Sequence, residues 1–158
     1  MAVPTSYCAY TDVQSKLQRT YTTATVPTQA EVTAFCVTIF NRLNGLLDAR
    51  GYAVPINTSY TAASSILKEV ATIGTAALAE EAANAISQTG SVSPLAISLR
   101  EQWETELKHL AKGETSLVDA PDASAIINPI AGNPPTGQFN EDDDGDERDS
   151  TFTRVMEF

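Results

Sequence analysis

Apolar residues recur at three- and four-residue steps along most of the first 113 positions, a spacing typical of amphipathic α-helices. The clearest run begins at Thr28 and Glu31, which predict a capping box in which each side chain satisfies a free backbone donor. The helix behind it extends to about Arg50, and Gly51 follows as its C-terminal cap. Its apolar stripe consists of Val32, Phe35, Cys36, Ile39, Phe40, Leu43, Leu46 and Leu47.

A short helix is predicted ahead of this long one. Thr11 and Gln14 have the spacing of a capping box, and the helix that they begin extends to about Arg19. Val13 and Leu17 lie four positions apart and therefore share one face. A proline in the polar stretch that follows separates the two helices.

An alanine-rich segment predicts a third helix, from about Ala62 to about Ile86. Gly74 lies in its middle, so small side chains should allow a neighbouring helix to approach closely. The preceding stretch contains a proline and several polar residues and is predicted to be a loop. The inward-facing positions of the helix are predicted to be Ile66, Leu67, Val70, Ile73, Ala77 and Leu78.

The fourth helix has clear signals at both ends. Ser93 is a favourable N-cap, Pro94 suits the first helical position, and Gly113 ends the run. Glu104 and Lys108 are spaced to pair on the outer face. The predicted buried stripe is Leu95, Leu99, Trp103, Leu107 and Ala111, with Leu110 beside it.

No segment of residues 1–113 alternates with the period of two that is typical of a strand. The pattern therefore predicts an all-α body, a small bundle of one short and three long helices. About 110 residues suffice for one hydrophobic core. The residues predicted to form that core are Val32, Phe35, Ile39, Leu43, Leu46, Leu67, Val70, Leu99, Trp103 and Leu107.

Charge divides the chain at residue 113. Residues 1–113 contain 8 Lys/Arg and 9 Asp/Glu, whereas residues 114–158 contain 2 and 11, together with four of the eight prolines. This composition predicts an extended C-terminal arm, residues 114–158, with an acidic run at 141–149 and an apolar tip at 152–158. The predicted protein interface in the arm consists of Phe139, Phe152, Arg154, Val155, Met156 and Phe158.

The sequence offers little catalytic chemistry, so we expect no enzyme and predict no catalytic, cofactor-binding or metal-binding residues. His109 is the only histidine, and its position in a last helical turn favours a surface or capping role. Phosphate-binding, dinucleotide-binding and nucleophile motifs are absent. Cys8 and Cys36 match no disulfide framework, and Cys36 is expected to be a buried thiol. Trp103 is expected to pack in the core. The sequence also shows no signal peptide and no membrane span.

The acidic run resembles a calcium-binding loop only in part. A loop beginning at Asn140 would place acidic residues and a glycine at the required third, fifth and sixth positions. However, Arg148 occupies the ninth position, and Thr151 replaces the bidentate glutamate at the twelfth. A solvated, self-repelling spacer accounts better for this run.

Four segments of the body resemble the head–tail connector (adaptor) proteins of long-tailed bacteriophages. They are "YTDVQSKL", "NRLNGLLDARGYAVPI", "SSILKEVATIGTAAL" and "SPLAISLREQWETELKHLAKG", and the C-terminal "FTRVMEF" is also similar to the family. The resemblance spans roughly residues 9–113 and lies in the layout, in which a helix, a loop ending in Pro-Ile and a second helix recur. The proline-rich, acidic segment 119–149 is longer than expected of the smaller members.

This resemblance implies a structural virion protein at the head–tail junction, assembled in the host cytoplasm. In the family, twelve copies form a ring under the portal protein, extend the DNA channel and receive the next neck, tail-completion or tail-terminator protein. Genomic DNA is expected to pass through without specific binding, and no membrane is involved. A second interpretation stays open, namely a free-standing helical interaction or regulatory module whose acidic tail binds basic partners.

Overall fold

The computed structural model describes residues 4–86 and 93–123. Four helices form a bundle: α1 (Tyr10–Leu17), α2 (Gln29–Ala49), α3 (Thr61–Ile86) and α4 (Pro94–Lys112). Within the described ranges there is no strand, and β-structure is limited to one isolated antiparallel bridge. The predicted all-α fold, with one short and three long helices, is confirmed.

Helix α3 lies at the centre of the bundle, and the three other helices pack against it. Positions 70–77 are buried without interruption, so this part of α3 is covered on every side. A helix surrounded in this way loses the polar face that a surface helix keeps. Small residues at many of these positions let the neighbouring helices approach closely.

Gly74 of α3 lies against Trp103 of α4, which agrees with the close packing predicted for this alanine-rich helix. A Cβ atom built on Gly74 would lie 2.5 Å from the indole Nε1 of Trp103, well inside the normal contact distance. The guanidinium of Arg42 lies 4.6 Å from the centroid of the same ring. Trp103 is thus a core residue, as expected, and links α2, α3 and α4.

Helix α1 begins and ends earlier than predicted. Its N-cap is Ala9, and the side chain of Asp12 accepts a hydrogen bond from the Ala9 N–H at 2.9 Å, so the predicted Thr11–Gln14 capping box is wrong. The helix ends at Leu17 because Gln18 adopts a left-handed backbone conformation. The carboxylate at the third helical position satisfies the N-cap donor without a hydroxyl partner.

Helix α2 forms with the predicted cap. Thr28 Oγ1 accepts a hydrogen bond from the Glu31 N–H at 3.3 Å, and Glu31 Oε2 accepts one from the Thr28 N–H at 2.7 Å. Gly51 follows the helix with φ +82°, the conformation expected after a helix end. The buried positions of α2 are Val32, Cys36, Ile39, Phe40, Leu43 and Leu47.

Other predicted core positions differ in how deeply they are buried. Leu67, Val70, Leu99 and Trp103 are buried in the core. Leu46 and Leu107 are partly buried and pack against it, as do Ile66 and Leu78. Phe35 is only partly buried and does not belong to this core cluster.

The predicted stripe of α4 is correct in its middle and wrong at its ends. Leu95 is 47% exposed and Ala111 is also exposed, whereas Ala96 is fully buried. Four residues rotate an α-helix by about 400°, so a strict four-residue repeat drifts about 40° at each step away from the buried face. On the outer face, Glu104 pairs with Arg100 at 3.5 Å, and not with Lys108 as predicted. Gly113 ends α4 with φ +82°, as expected.

Candidate protein-interaction surface

The chain turns back onto the bundle after α4, in a return segment formed by residues 114–123. Leu117 is 3% exposed and belongs to the hydrophobic core. The charge break at residue 113 assigned this segment to the arm, but its contacts attach it to the helical body. Residues 114–123 therefore belong to the helical body and not to an arm.

Asp119 connects the return segment to the N-terminus of α3. Its Oδ2 accepts a hydrogen bond from the Ala62 N–H at 2.9 Å, and its Oδ1 accepts one from the Ala63 N–H at 2.7 Å. These donors belong to the first turn of α3, where a capping side chain normally accepts. Tyr60, directly ahead of the helix, has no short side-chain oxygen of the kind that usually accepts from these N–H groups. Asp119 therefore caps α3 from a distant part of the sequence.

Backbone hydrogen bonds hold the end of the return segment beside the loop that joins α2 to α3. The Ala53 N–H donates to the Pro121 carbonyl at 2.8 Å, and the Ala123 N–H donates to the Gly51 carbonyl at 2.7 Å. Asp122 lies between them and forms the antiparallel bridge with Tyr52. The position from which residue 124 continues is thereby fixed on the body.

Large apolar side chains are exposed at several places in the described part of the chain. Val118, in the return segment, is 87% exposed, directly beside the buried Leu117. Leu95 and Ile97 are about half exposed in the first turns of α4. Val26 and Val37 are the remaining large exposed apolar residues among the described positions. Isolated apolar side chains are common on protein surfaces, so none of them alone identifies an interface.

Most cations of the body are engaged by other groups of the same chain. Lys68 pairs with Asp12 at 2.9 Å, Arg100 with Glu81 at 3.1 Å and Lys112 with Glu114 at 3.8 Å. Arg50 donates to the Leu110 carbonyl and lies over the ring of Tyr52. Arg42 lies over Trp103. Most of the described cations therefore have a partner within the same chain.

One ion pair joins an exposed arginine in the segment that follows α1 to a buried glutamate of α3. Arg19 Nη1 lies 2.6 Å from Glu80 Oε1, and the side chain of Glu80 is only 3% exposed. Although the two charged groups are close, Glu80 Oε1 accepts no hydrogen bond from the described residues. The buried hydroxyl of Tyr21 has no hydrogen-bond partner among them either. Burial, followed by the charge of Glu80, raises the pKa of Tyr21. The pair joins the segment after α1 to α3.

A groove of about 480 Å³ lies between α1 and α3. Its lining includes two lysines, two carboxylates and three hydroxyl side chains, and the Asp12–Lys68 pair lies among them. Burial works against the charged form of Asp12, but hydrogen bonds from the Ala9 N–H and Lys68 outweigh it and lower the pKa. The balanced charges and wide opening are typical of a solvated surface groove.

The described residues contain no cluster of three or more His, Cys, Asp or Glu side chains that could hold a metal ion. His109 Nε2 lies 3.6 Å from Glu114 Oε2 on the surface at the end of α4. Across residues 4–86 and 93–123, no helix has the length and apolar character required to cross a membrane.

The predicted interface residues all lie outside the described residues: Phe139, Phe152, Arg154, Val155, Met156 and Phe158. The acidic run at 141–149 lies outside them as well. Sequence reasoning missed Asp119, which joins the return segment to α3. No signal near the start of α3 could have identified it, apart from the absence of a good capping residue directly before Thr61.

Comparison of the chain with protein-family profiles, curated proteins and solved structures gives no match.

Proposed function

We propose that the chain is a structural protein of a long-tailed phage neck, which forms a ring under the portal and provides the platform for the next neck or tail protein. The observation that carries the proposal is the attachment of the arm. A helical body holds residues 119–123 on its surface through the Asp119 cap and the backbone bonds near Tyr52. The arm therefore starts from a defined place on the body.

The length of the remaining arm suits contacts between subunits. Residues 124–158 number thirty-five, and an extended chain of that length reaches up to about 115 Å. A ring of identical subunits needs two different complementary surfaces on each subunit, because its interfaces are head-to-tail. A tip with Phe152, Val155, Met156 and Phe158 supplies apolar side chains for one of them. The proposed contact is a tip inserted into a pocket, or added to a sheet edge, of a neighbour or the portal.

The charge of the chain suits a channel through which DNA slides. The formal net charge is −10, and most cations of the described body are held by carboxylates or aromatic rings. Each free Lys or Arg that neutralised a phosphate would strengthen non-specific DNA binding and slow the passage of the genome.

Truncation of the tip tests the proposal. Deletion of residues 152–158 should leave the helix content and melting temperature almost unchanged but abolish co-sedimentation with portal or neck particles from the same phage. Phe158→Ala should weaken attachment, and Phe152→Ala combined with Phe158→Ala should prevent it, because each buried phenylalanine contributes about 1.5–3 kcal/mol. Arg154→Ala, which changes the tip but removes no apolar anchor, serves as the matched control and should have a smaller effect. Unimpaired binding of the truncated chain would contradict the proposed role of the tip.

A second candidate is a helical interaction module whose acidic tail binds basic partners. It is favoured by the concentration of charge, since residues 114–158 contain 11 acidic and 2 basic residues. The apolar tip that follows the acidic run counts against it, because binding to a polycation requires no terminal aromatic residues. Binding to polylysine that is unaffected by tip deletion, without binding to a portal ring, would favour this second candidate.

A further inference from the structure

The outward side of α2 carries no charge along its middle. Between Glu31 and Arg42 the helix contains ten residues, and none of them is acidic or basic. Val37 lies at the centre of this stretch and is 42% exposed. The exposed residues of this surface, named the α2 face, are Ala30, Thr33, Ala34, Val37, Thr38, Asn41 and Gly45.

Both hydroxyl groups of the α2 face are satisfied within the helix itself. Thr33 Oγ1 donates to the Gln29 carbonyl at 2.9 Å, and Thr38 Oγ1 donates to the Ala34 carbonyl at 3.1 Å. Covering these hydroxyls therefore leaves no donor unpaired. A Cβ atom built on Gly45 would meet no atom within 4 Å, so the backbone there is open to an approaching helix. A partner that covers this face consequently meets little cost of polar desolvation.

Opposite charges flank the α2 face along one of its edges. Glu31 and Arg42 are both exposed and lie eleven positions apart, which is about three helical turns and places them on the same edge. The guanidinium of Arg42 lies over the Trp103 ring, and a stacked guanidinium keeps its N–H edge available to a carboxylate. Two α2 helices placed antiparallel about Val37 would set Glu31 of each copy beside Arg42 of the other. A parallel pair would set Glu31 against Glu31, which is unfavourable.

We propose that the α2 face is a self-association surface, at which two copies of the chain pack antiparallel about a two-fold axis near Val37. The formal net charge of −10 makes two copies repel each other over most of their surfaces. The α2 face instead brings uncharged residues together at its centre and opposite charges together at its edge. The same register places the exposed Asp48 near the N-terminus of the other α2, where the helix dipole favours a carboxylate.

This contact is independent of the proposed neck function. A two-fold pair is closed, whereas a ring is built from head-to-tail contacts, so the two require different surfaces. The α2 face extends over residues 30–45, about 24 Å of helix. It is smaller than a standard protein interface, which buries about 800 Å² on each partner. We therefore expect a weak dimer that is populated from about 0.1 mM chain upwards, as in other small transient interfaces.

Sedimentation equilibrium of the full-length chain, from about 10 µM to about 1 mM, measures the dimer. Val37→Asp sets two like charges beside the two-fold axis and should weaken the dimer at least about tenfold. Thr105→Asp adds the same charge on the exposed side of α4 and should leave the dimer unchanged. Glu31→Arg and Arg42→Glu should each weaken it, because like charges then face each other. The two substitutions combined should restore it, and this recovery identifies the antiparallel register.

Cross-linking gives a readout that requires no added charge. The chain's own Cys8 and Cys36 are buried, so a short bismaleimide reagent should leave the unmodified chain as single copies. Val37→Cys should be joined into a covalent dimer by this reagent, whereas Thr105→Cys should not.

Three results would overturn the proposal. The first is a chain that stays monomeric up to about 1 mM. The second is a dimer or larger oligomer that Val37→Asp leaves intact, because its contact would then lie elsewhere on the molecule. The third is equal cross-linking of Val37→Cys and Thr105→Cys. If a charged variant loses its helix content, the cross-linking comparison still decides the question, and none of these results bears on binding to the portal.

Discussion

Replacement of Asp119 by alanine should destabilise the helical body, although Asp119 lies in a segment that the charge pattern assigned to the arm. Both oxygens of its carboxylate accept backbone hydrogen bonds at the start of α3, at 2.9 Å from Ala62 and 2.7 Å from Ala63. The substitution removes both acceptors and a negative charge near the positive end of the helix dipole. Because α3 is the helix around which the others pack, loss of its first turn should affect the whole fold.

The expected loss is about 2–3 kcal/mol in the free energy of unfolding. Removal of a capping side chain costs about 0.5–2 kcal/mol, and a carboxylate near a helix N-terminus contributes about 0.3–1 kcal/mol. Ala63 is fully buried, so water does not readily replace the lost acceptor there. A buried donor left without a partner costs about 1–3 kcal/mol. These contributions overlap, because they describe the same two hydrogen bonds, and their sum is therefore an upper bound.

Urea unfolding followed by circular dichroism measures this loss, and amide hydrogen exchange at Ala62 and Ala63 reports the first turn of α3 directly. Asp119→Asn, which keeps one side-chain acceptor, should lose less stability than Asp119→Ala. Asp122→Ala is the matched control, because Asp122 is an exposed acid on the same segment that bridges to Tyr52 through its backbone. A loss below about 0.5 kcal/mol for Asp119→Ala, or an equal loss for Asp122→Ala, would refute the reasoning.

Two further predictions concern the packing of α3 and the capping carboxylates. Gly74→Ala should lower the free energy of unfolding by about 1–2 kcal/mol, because overpacking against Trp103 outweighs the gain in helix propensity. Gly45→Ala is the control, because no atom lies near its added Cβ, and it should raise the free energy of unfolding by about 0.5–1 kcal/mol. Chemical denaturation measures both changes, and a stabilising effect of Gly74→Ala would contradict the contact with Trp103. The backbone hydrogen bond from Thr28 lowers the pKa of Glu31, and hydrogen bonds from Ala9 and Lys68 lower the pKa of Asp12 despite its burial. The two ionised carboxylates therefore stabilise the fold above about pH 4, and this stabilisation is lost as the pH falls through the pKa values of the folded state. Between pH 6, 4 and 3 the free energy of unfolding should therefore fall less steeply for the Asp12→Asn and Glu31→Gln double variant than for the original chain. An equal fall in the two proteins would contradict this assignment.

The sequence predicted those elements whose signals are local. Thr28 and Glu31 lie within one turn of each other, and Ser93 and Pro94 are adjacent, so short-range chemistry fixes where α2 and α4 begin. Gly51 and Gly113 fix their ends in the same way, through a left-handed conformation that glycine adopts without strain. The small residues of α3 likewise predicted that a neighbouring helix packs closely, although they did not identify Trp103 of α4 as the partner.

The features that the sequence did not predict depend on contacts between distant residues. Asp119 caps α3 from 57 positions away, and the periodicity of the chain carries no trace of such a pairing. Leu95 was wrongly placed on the buried stripe of α4 because a four-residue repeat departs from the helical period, and the true buried position is Ala96. The candidate interface in the tip lies outside the described residues and stays a prediction.

The most direct test of the proposed neck function is the native mass of the full-length chain, measured alone, with assembled portal rings from the same phage, and with polylysine. The account predicts that portal rings bind many copies of the chain in a fixed number, twelve by analogy with the connector family, and that deletion of residues 152–158 prevents this binding. A chain that does not bind the portal rings and associates only with polylysine would contradict the account and favour an acidic interaction module.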